Sequence, residues 1–188
     1  MNDASAGRLF LGLPLPPSLR DDLEAHLRRA FGGGVPGRPV PPANWHLTLR
    51  FLGQTSAEQH RRLVDPLRGA DLGPAFELAF GGLGAFPRPA RATVLWVGVS
   101  EGADAVKALA ARMEAAARAA GFAPEPKPFS PHLTVSRLRD PADLRGAIAE
   151  APPFDGRMRM EEVVLFRSHL GGGAPRYEAV ERFGLGSA

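Results

Sequence analysis

Two short stretches of the chain carry the residues best suited to chemistry. The sequence NWHLTLRFLG over 44–53 and the sequence SPHLTVSRLR over 130–139 each hold a His-Leu-Thr triplet. The chain has only five histidines and four threonines, yet two of each stand in this one arrangement. An imidazole can accept or donate a proton near neutral pH, and a hydroxyl two residues later can bind a phosphate oxygen. The repeated triplet therefore indicates one active site built from two parts of the chain.

Both triplets open stretches in which apolar and polar residues alternate, as they do in a β-strand. Because successive side chains point to opposite faces of a strand, each stretch has one polar face and one apolar face. The polar faces are expected to hold His46, Thr48 and Arg50 in the first stretch and His132, Thr134 and Ser136 in the second. The leucines, Val135 and Phe51 are expected on the opposite side, facing the core.

Two imidazoles and two hydroxyls that line one cleft would suit phosphoryl transfer without a metal ion. One histidine would take a proton from the attacking water while the other gives a proton to the leaving oxygen. The plainer alternative is that both are half-buried strand histidines with satisfied hydrogen bonds. Zinc ligation is a further alternative, but the chain has no H-E-x-x-H sequence and no carboxylate near either triplet.

The elements that must position these residues follow from periodicity and from Pro and Gly breaks. Strands are predicted over 8–15, 45–53, 76–86, 92–99, 132–138, 159–170 and 175–183, and helices over 16–31, 56–70, 102–121 and 141–150. Ser18 is a candidate N-cap for the first helix, and Ser56 with Gln59 forms a candidate capping box for the second. The Gly- and Pro-rich stretch 32–44 is predicted to be irregular.

The order of these elements nearly repeats itself, since each half has a helix, a Pro-rich loop, a His-Leu-Thr strand, a second helix and a strand pair. This order predicts an α+β fold over 1–188, a single domain of two pseudo-symmetric lobes. Each lobe would hold mainly antiparallel sheet with outer helices, and the polar strand faces would line a central cleft between the lobes.

Composition excludes several other classes of protein. The chain has 188 residues and no cysteine, which rules out disulfides, thiolate nucleophiles and Cys-ligated zinc. It has no apolar run near the roughly 20 residues that span a bilayer, and its first residues do not resemble a signal peptide, so we expect a cytoplasmic protein. The net charge of +3 suits an anionic ligand, although an Arg-rich composition explains it equally well. Nothing in the sequence requires more than a monomer.

The paired triplets, with PF-P before the second and an arginine five residues after its histidine, resemble the two-histidine (2H) phosphoesterases. The chain is most similar to the RNA 2',3'-cyclic phosphodiesterases, also called 2'-5' RNA ligases. RLFLGLPLP, ATVLWVGV, VVLFRSHL and PRYEAVERF occur in the order typical of that family. The resemblance implies metal-independent opening of an RNA-terminal 2',3'-cyclic phosphate to a 2'-phosphate, without a cofactor. It also implies the reverse joining of RNA ends through a 2'-5' bond.

The resemblance implies a role for particular residues. His46 and His132 would be the acid and base, with His46 protonating the leaving oxygen and His132 activating water. Thr48, Thr134 and Arg137 would bind the phosphate. Strict alternation places Arg137 on the face of Leu133, so that role requires a bulge or the end of the strand to redirect it.

Further contacts to RNA are expected from residues near the two triplets. Phe129 and Tyr177 are candidates for stacking on a terminal base, and Arg50 and Lys127 for contacting phosphates. His26 and His60 are expected on the surface of helices, and His169 is expected to be structural.

Two other functions fit the same residues. In the first, the substrate is a small nucleotide phosphate, either a cyclic nucleotide or a 2'-5'-linked oligonucleotide, rather than the 3' end of an RNA. In the second, the chain is a nucleotide- or RNA-binding module without catalysis, although both triplets are intact. The chain has no G-x-x-x-x-G-K-[ST] sequence for binding nucleotide phosphates in a P-loop.

Overall fold

A computed structural model of the protein describes residues 5–32, 34–171 and 174–186. These residues form four α-helices: α1 Pro17–Phe31, α2 Ala57–Arg68, α3 Ala103–Ala119 and α4 Arg145–Glu150. They also form nine β-strands: β1 Ser5–Pro14, β2 Arg38–Pro39, β3 His46–Ser56, β4 Phe76–Phe86, β5 Ala92–Glu101, β6 His132–Ala142, β7 Arg157–Met160, β8 Glu162–His169 and β9 Arg176–Gly184. No helix of the described residues is long and apolar enough to cross a membrane.

The strands form one antiparallel sheet in the order β7-β4-β5-β6-β3-β1-β8-β9, with β2 paired to β6. β7 and β8 lie six strand positions apart, which is about 29 Å in a flat sheet. Only Glu161 separates these strands in the chain, so their ends lie within about 7 Å of each other. The sheet is therefore strongly curled, and the predicted α+β class with mainly antiparallel strands is confirmed.

The two faces of the sheet carry different side chains. Leucines of the central strands, including Leu13, Leu47 and Leu133, are fully buried. They pack in one hydrophobic core with the apolar faces of the helices, such as Leu23 of α1 and Met113 of α3. The other face of the central strands carries the histidines and threonines, so the core fixes the position of the polar face.

The two His-Leu-Thr strands meet at one place in the sheet. β3 and β6 pair only at Leu47 and Leu133, whereas β3 pairs along its length with β1, and β6 with β5. Four strands lie on each side of this junction, not counting β2. The pseudo-symmetry between two lobes remains a prediction.

Three predictions about these elements are wrong, each because of a tertiary contact or a proline. α1 has Pro16 at its N-cap position and no side-chain cap, so Ser18 lies inside the helix. Pro17 occupies the first helical position, where the missing N–H of proline needs no partner. The stretch 32–44 contains β2, whose pairing with β6 gives it regular structure, and a 3₁₀ turn at Pro42–Asn44. The fourth helix begins at Arg145 because β6 continues to Ala142, which pairs with Ala92.

The predicted strand over 159–170 is two strands. β7 pairs with β4, and β8 pairs with β1 and β9, so the chain passes at Glu161 from one edge of the curled sheet toward the other. The capping box of α2 is confirmed, since Gln59 N donates to Ser56 Oγ at 3.1 Å and Ser56 N donates to Gln59 Oε1 at 3.1 Å.

Candidate active site

The junction of β3 and β6 brings the two triplets together. The strands are antiparallel and Leu47 pairs with Leu133, so His46 lies across from Thr134 and Thr48 lies across from His132. Directly opposed residues of an antiparallel pair have Cβ atoms about 4.5–5.5 Å apart. The four polar side chains therefore share one face of the sheet, and each histidine has a hydroxyl from the other strand beside it.

Both imidazoles are held by backbone carbonyls two residues earlier. His46 Nδ1 lies 2.7 Å from Asn44 O, and His132 Nδ1 lies 2.7 Å from Ser130 O. A carbonyl oxygen can only accept, so Nδ1 carries the hydrogen and Nε2 of the neutral ring has a free lone pair. His46 Nε2 lies 2.9 Å from Thr48 Oγ1, which can donate to that lone pair. Each histidine thus presents Nε2 as the atom available for proton transfer.

His46 is enclosed by aromatic rings. Its imidazole stacks on Phe10 with centroids 4.6 Å apart and meets the edge of Tyr177 at 5.3 Å. This burial lowers the pKa of His46 to about 4, with the positive charges of Arg137 and His132 acting in the same direction. The carbonyl of Asn44 opposes the shift by stabilising the protonated ring. His46 is therefore neutral at pH 7 in the free protein.

His132 has a more open environment of the same kind. Its ring meets Phe86 edge-on at 4.9 Å and lies 6.2 Å from Trp96. Burial lowers the pKa of His132, Arg137 lowers it further, and the carbonyl of Ser130 raises it. Phe10, Phe86 and Trp96 were not among the sequence candidates, because only the strand pairing places them beside the histidines.

A β-bulge directs Arg137 toward the site. Leu95 pairs with Ser136 and Trp96 with Thr134, which leaves Val135 as an extra residue in β6. Val135 and Ser136 are both buried, and the side chain of Arg137 emerges on the face of the histidines. Its positive charge helps to lower the pKa of His46 and of His132, and it opposes the rise that burial causes in the pKa of Tyr177. Among the described residues it has no carboxylate within ion-pair distance.

The same irregularity occurs in β3 and overturns two predicted orientations. Leu11 pairs with Arg50 and Gly12 with Thr48, so Leu49 is the extra residue. Arg50 is 7% exposed, whereas Phe51, predicted to lie in the core, is 56% exposed. Strict alternation fails at this point because the bulge turns the strand between Leu49 and Arg50.

The buried guanidinium of Arg50 forms ion pairs and hydrogen bonds with other residues of the protein. It forms ion pairs with Glu114 of α3 and with Glu125, and it donates to the carbonyl oxygen of Ala123. These contacts tie β3 to the loop that carries Ser130, the residue whose carbonyl orients His132. The structure thus places Arg50 in a position to hold this loop, with its charge already balanced.

One cavity reaches His132 of the histidine pair, and a second is lined by Phe10 and Tyr177, whose rings contact His46. One of about 430 Å³, named here the Phe129 cavity, reaches Thr48 and His132 and is lined by Leu49, Phe51, Phe86, Lys127 and Phe129 among others. The second, of about 290 Å³ and named here the Tyr177 cavity, is lined by Arg8, Phe10, Phe51, Leu170 and Tyr177 among others. Of the predicted base and phosphate contacts, Phe129, Lys127 and Arg50 line the cavity that reaches His132, and Tyr177 lines the second cavity.

The remaining histidines lie in other surroundings. The predicted surface position of His26 is wrong, because its side chain is buried and Nε2 lies 3.1 Å from the carbonyl oxygen of Pro152. His60 is only half-buried, but its Nε2 is buried without a hydrogen-bond partner in the described part of the chain. His169 pairs with Glu178 at 2.7 Å. Nowhere in residues 5–32, 34–171 and 174–186 do three His, Asp or Glu side chains cluster as metal ligands would.

Comparison with known proteins gives a consistent assignment. The model of the 2'-5' RNA ligase superfamily matches residues 15–172. The RNA 2',3'-cyclic phosphodiesterase of Escherichia coli K12 is 32% identical over 179 residues, which cover 95% of this chain and 96% of that protein. The enzyme of the same name from Methanothermobacter thermautotrophicus is 33% identical over 186 residues, covering 95% and 98%.

The fold agrees with solved structures of such proteins. The crystal structure of E. coli LigT complexed with 3'-AMP has a TM-score of 0.81 to this chain at 30% identity, covering 97% of this chain and 99% of that one. The same protein complexed with NADP+ has a TM-score of 0.80. The resemblance inferred from the two His-Leu-Thr strands is confirmed.

Proposed function

Because this chain belongs to the 2'-5' RNA ligase superfamily, we propose that it opens RNA-terminal 2',3'-cyclic phosphates to 2'-phosphates, with His46 and His132 as the acid and base. The observation that carries the proposal is the junction at Leu47 and Leu133, which sets a histidine from each strand beside a threonine from the other. The E. coli and M. thermautotrophicus relatives, both RNA 2',3'-cyclic phosphodiesterases, support this reaction.

The hydrolysis begins at His132. The lone pair of His132 Nε2 takes a proton from water, and the water oxygen forms a bond to phosphorus. The bond from phosphorus to the 3'-oxygen breaks, and His46 Nε2 delivers a proton to that oxygen. The products are a 3'-hydroxyl and a 2'-phosphate, and the histidines have exchanged protonation states. Separate strands supply the two groups, as displacement from opposite sides of phosphorus requires.

The hydroxyls and the arginine stabilise the charge that develops on the phosphate. Thr134 can donate a hydrogen bond to a non-bridging oxygen, and Thr48 can do so once protonation of His46 Nε2 frees its hydroxyl hydrogen. Arg137 supplies a full positive charge on the same face. Arg137 also lowers the pKa of both histidines in the free protein. A bound phosphate anion offsets that charge, so substrate binding raises the pKa of His46 and favours its protonated, acidic form.

The same atoms would permit ligation. If the 5'-hydroxyl of a second RNA replaces water, His132 Nε2 takes its proton and its oxygen attacks phosphorus. The 3'-oxygen leaves with the proton from His46, and a 2'-5' phosphodiester forms. This step is the reverse of attack by the 3'-hydroxyl on that diester, so it needs no energy source beyond the strained cyclic phosphate. We propose no cofactor or metal for either direction, and a monomeric protein acting on RNA 3' ends or small nucleotide phosphates.

The test is incubation of the purified protein, in EDTA, with a short RNA that ends in a 2',3'-cyclic phosphate. We expect a 2'-phosphate product from the wild type and none from His46→Ala or His132→Ala, while both variants still bind the RNA. His169→Ala is the matched control, because His169 lies on β8 in a pair with Glu178 and should be dispensable. A 3'-phosphate product would refute the assignment of the leaving oxygen, and activity in either site variant would refute the acid-base pair.

A further inference from the structure

A second arginine lies directly across from Arg137 in the sheet. Arg38 of β2 pairs with Arg137 of β6, and the next residue of β2, Pro39, pairs with Ser136. Directly opposed residues of an antiparallel pair point to the same face of the sheet, with Cβ atoms about 4.5–5.5 Å apart. Arg38 therefore projects on the face that carries Arg137 and the histidines.

The protein does not neutralise this pair of like charges. Both side chains are exposed, and in the described part of the chain neither has a carboxylate within ion-pair distance or donates a hydrogen bond. Like charges that face each other directly destabilise a strand pair. A bound anion offsets this repulsion, so the pair of Arg38 and Arg137 is suited to a negatively charged ligand.

The backbone before Arg38 fixes its position against β6. Ser136 Oγ donates to the carbonyl oxygen of Pro36, which holds the start of this segment on the strand. Gly37 has a φ of +85°, and a Cβ atom there would lie 2.7 Å from the carbonyl oxygen of Arg137. A glycine is therefore needed for the chain to run this close to β6. The arginine pair is thus in place before any ligand binds.

Of the two arginines, Arg137 is the one that acts on the histidines. Its charge lowers the pKa of His46 and of His132, whereas Arg38 contributes to neither shift. Thr134, the hydroxyl across from His46, lies three residues before Arg137, which is about 10 Å along a strand. The arginine pair therefore lies beyond the histidines along β6. A nucleic acid strand that ends between the histidines and extends in this direction passes both cations.

We propose that Arg38 binds the phosphodiester on the 5' side of the terminal nucleotide, while Arg137 binds the terminal cyclic phosphate, so that the pair selects RNA ends over mononucleotides. The inference rests on the proposed function for the place of the cyclic phosphate between the histidines. A mononucleoside 2',3'-cyclic phosphate has no such phosphodiester and cannot use Arg38. Every RNA has this charge whatever its bases, so the selection does not depend on sequence.

The test compares two stable probes that differ in one charge. Adenylyl-(3'→5')-adenosine 2'-phosphate has the phosphodiester, and its methylphosphonate analogue has a neutral linkage in the same place. If Arg38 contributes as much as an exposed ion pair, the wild type should bind the diester roughly 2- to 5-fold more tightly. Release of one counterion should also make the slope of log Kd against log salt concentration steeper by about 0.7 for the diester.

Three variants assign these differences to a residue. Arg38→Gln should remove the difference in Kd and the difference in slope, and Arg38→Lys should keep the difference in slope because the charge remains. Arg61→Gln is the matched control and should keep both differences. Arg61 is exposed and has no ion pair within the described residues, but it lies on α2, which packs in the core on the other face of the sheet.

Equal binding of the two probes by the wild type would overturn the inference. So would differences that persist in Arg38→Gln, or that Arg61→Gln removes to the same extent. Hydrolysis of the corresponding dinucleotide 2',3'-cyclic phosphate is measured in parallel. Conversion to the 2'-phosphate with equal binding of the probes would leave the proposed function standing without the role of Arg38. Charge-dependent binding through Arg38 without hydrolysis would leave the phosphate contact and refute the proposed reaction.

Discussion

Gly84 on β4 leaves the space that the indole of Trp96 fills. A Cβ atom at position 84 would lie 2.1, 2.3 and 2.6 Å from three indole carbons, far inside the roughly 3.5–4.0 Å of a normal carbon contact. The indole must therefore move in a Gly84→Ala variant. Trp96 packs against Phe86 at 5.2 Å, and Phe86 packs against His132 at 4.9 Å. The substitution thus acts on a chain of contacts that ends at the site.

The loss of stability in Gly84→Ala can be worked out from this overlap. Inserting a methyl group into a filled space typically lowers the free energy of unfolding by about 1–3 kcal/mol. For a chain of this size each kcal/mol lowers the thermal midpoint by about 2–4 °C, so we expect a fall of about 2–12 °C. Thermal unfolding followed by circular dichroism measures this change. Because the Trp96 ring lies 6.2 Å from that of His132, its displacement should also lower kcat/KM for cyclic phosphate hydrolysis.

Gly82→Ala is the matched control for Gly84→Ala. Gly82 lies two residues earlier on the same strand and is exposed, and a Cβ atom added there would meet no described atom within 4 Å. Both variants lose the same backbone freedom in the unfolded chain, so their difference isolates the contact with Trp96. An equal thermal midpoint for the two variants would refute the packing argument.

Three other predictions follow from charged and titratable groups. The pKa of His46 is about 4 in the folded protein and about 6.5 when unfolded, so the unfolded state takes up its proton first as pH falls. The free energy of unfolding should therefore drop by roughly 2 kcal/mol from pH 7 to pH 5, and less in His46→Gln, as measured by urea denaturation. Arg137→Gln should lower kcat/KM by roughly 10- to 150-fold, and NMR titrations should show a higher pKa for both site histidines. Arg139 is exposed on the same strand, and Arg139→Gln should change neither quantity. Arg50→Gln breaks the ion pairs of a side chain that is only 7% exposed, so it should lower the free energy of unfolding by up to about 3 kcal/mol in urea denaturation. Arg62→Gln, whose ion pair is exposed, should lower it by less than about 0.5 kcal/mol. Equal losses in the two variants would refute a stabilising role for the buried ion pairs of Arg50.

The sequence alone was sufficient to find the two His-Leu-Thr strands and the family. Periodicity of two places a histidine and a threonine on one face of each strand, and the buried leucines of the other face hold that orientation. Most helices were also predictable, because a capping box such as that of Ser56 and Gln59 depends only on neighbouring residues.

Other features were decided by the partner strands. The bulges at Leu49 and Val135, which bury Arg50 and expose Phe51 and Arg137, arise from pairing with β1 and β5 and leave no local signal in the alternation. The division of 159–170 into two strands likewise depends on the curl of the whole sheet. Side-chain periodicity is a property of one strand and can be seen in the sequence. Register and bulges are properties of a strand pair, and the aromatic enclosure that lowers the pKa of His46 to about 4 exists only once β1, β3, β8 and β9 are assembled.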